Sequence, residues 1–149
     1  MKPSPPGWPR ISSSLSYEDA PAAIEWLCRA FGFEVKLKVE GAPGVIVHSE
    51  LVYGDGLIMV ATAGAGAAHP EHAWRASPRA IDGKNTQGLF VYVDDVEEHF
   101  ARARAAGARI VTEPTTTDYG EGYWTDRGYH AVDLEGHHWS FAQRLRDPK

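Results

Sequence analysis

One arrangement of elements occurs twice in this chain at a fixed spacing, and no other sequence feature limits the fold as much. Asp19 and Asp94 lie 75 positions apart (94 − 19), as do Gly32 and Gly107 (107 − 32). A repeated supersecondary unit restricts the chain to architectures in which two like modules share a core.

In the first copy, Ile11 to Tyr17 alternates apolar and polar residues and predicts a strand with Ile11, Ser13 and Leu15 on one face. Glu18-Asp19 supplies helix-start chemistry, and Pro21 suits a first turn. Ile24, Leu27, Cys28 and Phe31 then fall at i, i+3, i+4 and i+7, the stripe of a helix buried on one face, and Gly32 ends it. Phe33 to Val39 alternates as a second strand and is broken by Gly41-Ala42-Pro43-Gly44. A hairpin follows, Val45 to Tyr53 and Leu57 to Ala61, turning through Gly54-Asp55-Gly56. The second copy runs Gly88 to Val93 as a strand, then a helix opened by Asp94-Asp95, with an inner stripe of Val96, Phe100 and Ala103. His99 reads as partly exposed, and Gly107 closes the helix. Arg109 to Thr112 is a strand that Pro114 is expected to break. The last hairpin spans Tyr129 to Gln143 around Asp133-Leu134-Glu135-Gly136. The prediction is an α+β fold of tandem βαβββ modules with curved, mixed sheets.

Residues 1–10 form a proline-rich arm, 11–63 the first module, 64–86 a linker or lid, 87–143 the second module and 144–149 a tail. A connection as long as 64–86 is usually functional or a linker, and Trp74 is its candidate pocket cover. A formal net charge of −5 disfavours nucleic acid or an anionic membrane as partner. No run approaches the roughly 18 apolar residues of a membrane span. Met1 to Arg10 has no apolar core of a signal peptide, so the cytoplasm is the expected location. Cys28 is the single cysteine, which excludes an internal disulfide, and its helical setting predicts an inert thiol.

Four stretches carry a family resemblance: Tyr17-Glu18-Asp19, Ala30-Phe31-Gly32-Phe33, Val93-Asp94-Asp95-Val96, and Asp133-Leu134-Glu135-Gly136-His137-His138-Trp139. The chain resembles the vicinal oxygen chelate superfamily, and within it the glyoxalase/bleomycin-resistance-like proteins. The resemblance implies that each module curls into half a cup, the halves meeting within one chain or across a homodimer, which is the form expected here. It also implies a divalent metal on the cup floor of the family's enzymes, held by His, Gln and Glu from the first and last strands of each module.

Carried onto this sequence, those positions fall at Ser12, Met59, Gly88 and Ser140, none of which is a usual ligand. Shifting by one residue brings Ser13, Ile58, Val60, Leu89, Trp139 and Phe141, which are no better. Gln87 alone is capable of ligation. The expectation is therefore no metal and no cofactor, with metal-dependent lyase or dioxygenase chemistry disfavoured. Of the seven histidines, His69 and His72 lie in the linker, and His48 lies in the first hairpin. His137 and His138 point to opposite faces of a strand. His130 and His138 can meet across the last hairpin, which leaves a glyoxalase-type lyase or isomerase with a non-standard metal site as the alternative.

By alternation Ser12, Ser14, Met59, Phe90, Tyr92, His138 and Ser140 share the cup face, an aromatic and hydroxyl lining suited to a small organic ligand. Successive serines at 12–14 are poor filler for a dry core and suggest a wet cavity. Tyr123 and Trp124, interleaved with Asp118, Glu121 and Asp126, are candidates to stack on a flat aromatic or cationic, antibiotic-like molecule.

Overall fold

The computed structural model describes residues 1–65 and 72–149, so His69 lies outside the described residues. The first module comprises β1 (Ser13–Tyr17), α1 (Ala20–Phe31), β2 (Glu34–Glu40), β3 (Ile46–Tyr53) and β4 (Gly56–Thr62). The second comprises β5 (Leu89–Tyr92), α2 (Val96–Ala105), β6 (Arg109–Asp118), β7 (Thr125–Val132) and β8 (His138–Arg146). The sheet orders are β1-β4-β3-β2 and β5-β8-β7-β6, with the first and last strand of each module parallel and the others antiparallel. The two sheets have one topology, as expected of a repeated unit.

Local chemistry accounts for the element ends. The Asp19 side chain accepts from the Ala22 N–H at the start of α1, and Gly32 closes the helix at φ 81°. At α2 the capping carboxylate belongs to Asp95, the second of the Asp pair, and accepts from Glu97 and Glu98. In the last hairpin Asp133 Oδ1 gathers the N–H groups of Glu135, Gly136 and His137, and Gly136 takes φ 104°.

Three local expectations need correction. The first strand begins at Ser13, and Ile11 is exposed rather than sharing a face with Leu15. Strand β6 passes through Pro114 and continues to Asp118. It is an edge strand, and its register shifts between Thr112 and Thr115, so the missing proline N–H falls where no ladder bond is needed. His99 is buried, 7% exposed, not partly open. It faces inward because the second module does not expose that flank of α2 but packs it on the first module.

Both helices lie between the sheets. The Phe31 ring stands 5.2 Å from Trp139 and 4.7 Å from Phe141 of β8, and Trp26 Nε1 donates to the Ala106 carbonyl at 2.7 Å. Leu15, Leu51 and Val60 of one sheet join Tyr129, Trp139 and Phe141 of the other in a single core. Truncating a central ring such as Phe31 to Ala is expected to cost about 3–5 kcal/mol. Because each sheet turns one face to this core, its other face is turned outward. Register places Ser14 beside Met59 and Met59 beside Glu50 on the first outward face. It places Phe90 beside Ser140 and Ser140 beside His130 on the second.

Candidate ligand-binding site

The second outward face holds a hollow of about 410 Å³ whose lining includes Phe90, Thr112, Thr115, Thr117, His130 and Ser140. Strand alternation builds it. Thr115 lies opposite Gly128 and Thr117 opposite Asp126, so every second residue of β6 and β7 points into the concavity. Gly128 forms part of the floor. A Cβ there would lie 2.8 Å from the Phe141 carbonyl oxygen, so only glycine keeps the strands at this spacing.

Among the polar groups of the hollow, His130 and Ser140 belong to one hydrogen-bonded chain. His130 Nε2 lies 2.7 Å from His138 Nδ1, and Ser140 Oγ lies 3.3 Å from His130 Nδ1. Burial lowers the His130 pKa, and the neighbouring His138 and Arg109 lower it further, so His130 is neutral at neutral pH. The anticipated pairing of His130 with His138 is thus present, while His137 points the other way and bonds the Ser16 carbonyl at 2.9 Å.

Beside the hollow, Arg144 lies against Tyr92 and against Trp124, one of the two rings expected to stack on a ligand. Its guanidinium carbon is 5.0 Å from the Tyr92 ring centre and 5.2 Å from that of Trp124. Nε donates to Asp126 at 2.6 Å, and Tyr92 Oη donates to the other Asp126 oxygen at 3.0 Å. Asp118 is likewise matched by Arg146 at 2.8 Å. Asp118 and Asp126 are therefore neutralised within the chain, whereas Glu121 forms no ion pair among the described residues. Tyr123 is exposed and makes an edge contact with Trp124.

The remaining expected residues are distributed differently. Ser14 and Met59 lie on the other outward face, and no described cavity is lined by residues of both outward faces. Ser12 Oγ is buried without a hydrogen-bond partner among the described residues. Trp74 is 71% exposed and lines a second, smaller cavity together with Ser14. Two features escaped sequence reading. The threonines of β6 were hidden by the expected break at Pro114. Glu50, on the Met59 face, bonds His48 and Lys36, each at 3.3 Å, and the His48-Ser49-Glu50 alternation was its available signal.

The metal implied by the resemblance does not fit these residues. Ser12, Met59, Gly88 and Ser140 supply no strong ligand set, and His130 and His138 direct ring nitrogens at each other. Among the described residues no three His, Cys, Asp or Glu side chains converge to hold an ion.

Comparison with known proteins agrees with this architecture. TioX from Micromonospora sp. ML1 is 34% identical, with a TM-score of 0.67, covering 91% of this chain and 95% of that one. TnmS3, an antibiotic binding protein from Streptomyces sp. CB03234, shares the fold at 18% identity and a TM-score of 0.62, covering 89% and 93%. The uncharacterized protein Mb0911c of Mycobacterium bovis is 29% identical over 93% of this chain and 86% of its own length. Residues 11–141 match the Glyoxalase/Bleomycin resistance protein/Dioxygenase superfamily, and the chain belongs to that family.

Proposed function

We propose that this protein binds a small, flat, aromatic, antibiotic-like molecule without a metal, in the hollow on the outer face of the second sheet. The observation that carries the reading is Phe90, 60% exposed on the floor of a concavity of about 410 Å³ beside the His130–Ser140 hydrogen bond. An exposed ring with a few convergent polar groups is the ordinary make-up of a small-molecule site. At the aromatic edge a neutral ligand is favoured over a cationic one because Asp118 and Asp126 already hold arginines, while Glu113 is the carboxylate of the lining with no ion pair among the described residues. The similarity in fold to an antibiotic binding protein is consistent with this reading.

A second copy of the chain completes the site. The outward faces of the two sheets lie on opposite sides of the shared core, so one chain supplies two half-cups that do not meet. Pairing the first half-cup of one copy with the second of another closes both. The location proposed for this complex is the cytoplasm, and no helix among the described residues is long and apolar enough to cross a membrane.

The test is titration with acridone, a neutral planar ring system, against proflavine, its cationic counterpart, combined with sedimentation. Acridone is expected to bind a dimer and to lose affinity in Phe90→Ala. A monomer that ignores acridone, or a Phe90→Ala variant that binds it equally well, would sink the proposal. The alternative reading, a lyase or isomerase, draws on the neutral His130 imidazole as a candidate base. Turnover of an α-oxoaldehyde thiol adduct that His130→Gln abolishes would favour it.

A further inference from the structure

Residues 74–87 border a separate cavity of about 210 Å³ against β1. Its volume is that of about seven water molecules, below the roughly 300–1,000 Å³ of drug-sized pockets. Leu15, Pro78, Ile81 and Leu89 supply apolar wall, and the Trp74 indole stands at one side. Among the described residues the charged side chains in the lining are Arg75 and Lys84, and none is a carboxylate. Neither cation takes part in an ion pair among the described residues. Arg75 packs its guanidinium 5.2 Å from the Trp74 ring centre, and its buried Nε–H has no acceptor among the described residues. A charged donor left unpaired away from water is costly, and such groups normally face an acceptor.

We propose that this cavity is a binding site for a small carboxylate with a flat apolar body, such as a single-ring aromatic acid. The carboxylate pairs with Arg75 and Lys84, with Ser14 and Asn85 within the same lining as neutral hydrogen-bonding groups. The ring lies against Trp74 and Leu89. Guanidinium already stacked on indole is pre-organised, so little side-chain freedom is lost when the acid arrives. The cavity shares no lining residue with the hollow on the second sheet, and this inference does not depend on what that hollow binds.

The experiment is calorimetric titration of the full chain with benzoate and with benzyl alcohol, the same ring without the charge. Benzoate is expected to bind one site per chain with a dissociation constant of about 1 mM or tighter, weakening as salt is added. Benzyl alcohol is expected to bind about tenfold more weakly or not at all. Lys84→Gln, an exposed substitution that leaves the core intact, is expected to weaken benzoate several-fold. Arg75→Gln is expected to abolish it, and Trp74→Phe to remove the accompanying fluorescence change. Equal affinity for benzoate and benzyl alcohol overturns the proposal. So does saturable benzoate binding that Lys84→Gln leaves unchanged, or no benzoate binding by the parent chain.

Discussion

Glu135, at the tip of the β7–β8 turn, accepts hydrogen bonds from the backbone N–H groups of Glu18 at 2.7 Å and Asp19 at 2.9 Å, 117 and 116 positions earlier. A carboxylate of the second module thus faces the N-terminus of the first module's helix, where the helix dipole favours negative charge. Ser77 adds a third donor at 2.6 Å, and Arg79 stands 3.7 Å from the second oxygen. Next to it Asp133 Oδ2 accepts from Tyr17 Oη at 2.6 Å and from Trp139 Nε1 at 3.0 Å. The last hairpin therefore ties the modules together as well as closing its own strands.

Glu135→Ala strands two backbone donors and the Ser77 hydroxyl in a site that is 4% exposed. The expected loss of stability is about 2–4 kcal/mol, read as a lower urea midpoint with an unchanged slope. Glu135→Gln retains one acceptor oxygen and is expected to lose less. A loss below about 0.5 kcal/mol for Glu135→Ala, the level of an ordinary surface substitution, would show that the modules do not depend on this contact.

His99 joins the modules from the other side. Its Nε2 lies 2.9 Å from the Phe31 carbonyl, which only accepts, so the proton is on Nε2 and Nδ1 accepts from Tyr129 Oη at 2.7 Å. Burial depresses its pKa below the ordinary imidazole value of about 6.5, the Phe31 carbonyl partly opposes the shift, and the Arg102 charge adds to it. The unfolded chain therefore binds a proton at a pH where the folded chain does not. His99 contributes stability that is present above about pH 6.5 and is lost as pH falls through the folded value. Denaturation midpoints should drop over that window, and His99→Gln should flatten the drop. An identical pH profile in the variant would rule His99 out as its source.

These two contacts mark where sequence reading stops. The strand–helix–strand order, the Asp19 cap and the Gly32 and Gly107 stops are local, and local chemistry is legible one residue at a time. His99 belongs to the buried row of α2, three positions after Val96 and four before Ala103, but an imidazole does not count as apolar in a periodicity. Asp133 and Glu135 read as turn residues because their partners, Tyr17 and the start of α1, are distant in sequence. Alternation also placed Ser14 with Met59 and Phe90 with Ser140 correctly. It carries no information on how two sheets are set against each other, so the separation of the two half-cups by a shared helix layer was not visible. Pro114 misled for a related reason: whether a strand tolerates proline depends on being at an edge, a tertiary property.

The His130–His138 pair makes a prediction about charge. Two imidazoles sharing one 2.7 Å hydrogen bond cannot both be protonated without repulsion. Burial is the larger cause of the low His130 pKa and His138 the next. In His138→Gln the His130 pKa should move upward but stay below that of a free imidazole. Imidazole resonances followed across pH 5–8 measure this, that range being where unperturbed histidine titrates. A His130 pKa that does not move would mean that the pair is not electrostatically coupled.

Arg144 makes a prediction about ligand class. Its guanidinium lies near the Tyr92 and Trp124 rings, and its N–H groups are given to Asp126, Asp147 and the Tyr92 hydroxyl. It occupies the position that a flat cation would take against these rings and beside a carboxylate. Arg144→Gln vacates that position and leaves Asp126 without its cation. The variant is expected to gain affinity for proflavine by roughly two- to fivefold, the scale of an exposed cation–π contact, while its affinity for acridone changes little. The gain should shrink as salt is raised, because Asp126 contributes through charge. If the parent chain already binds proflavine as tightly as the variant does, Arg144 does not guard the stack, and the preference for a neutral ligand fails with it.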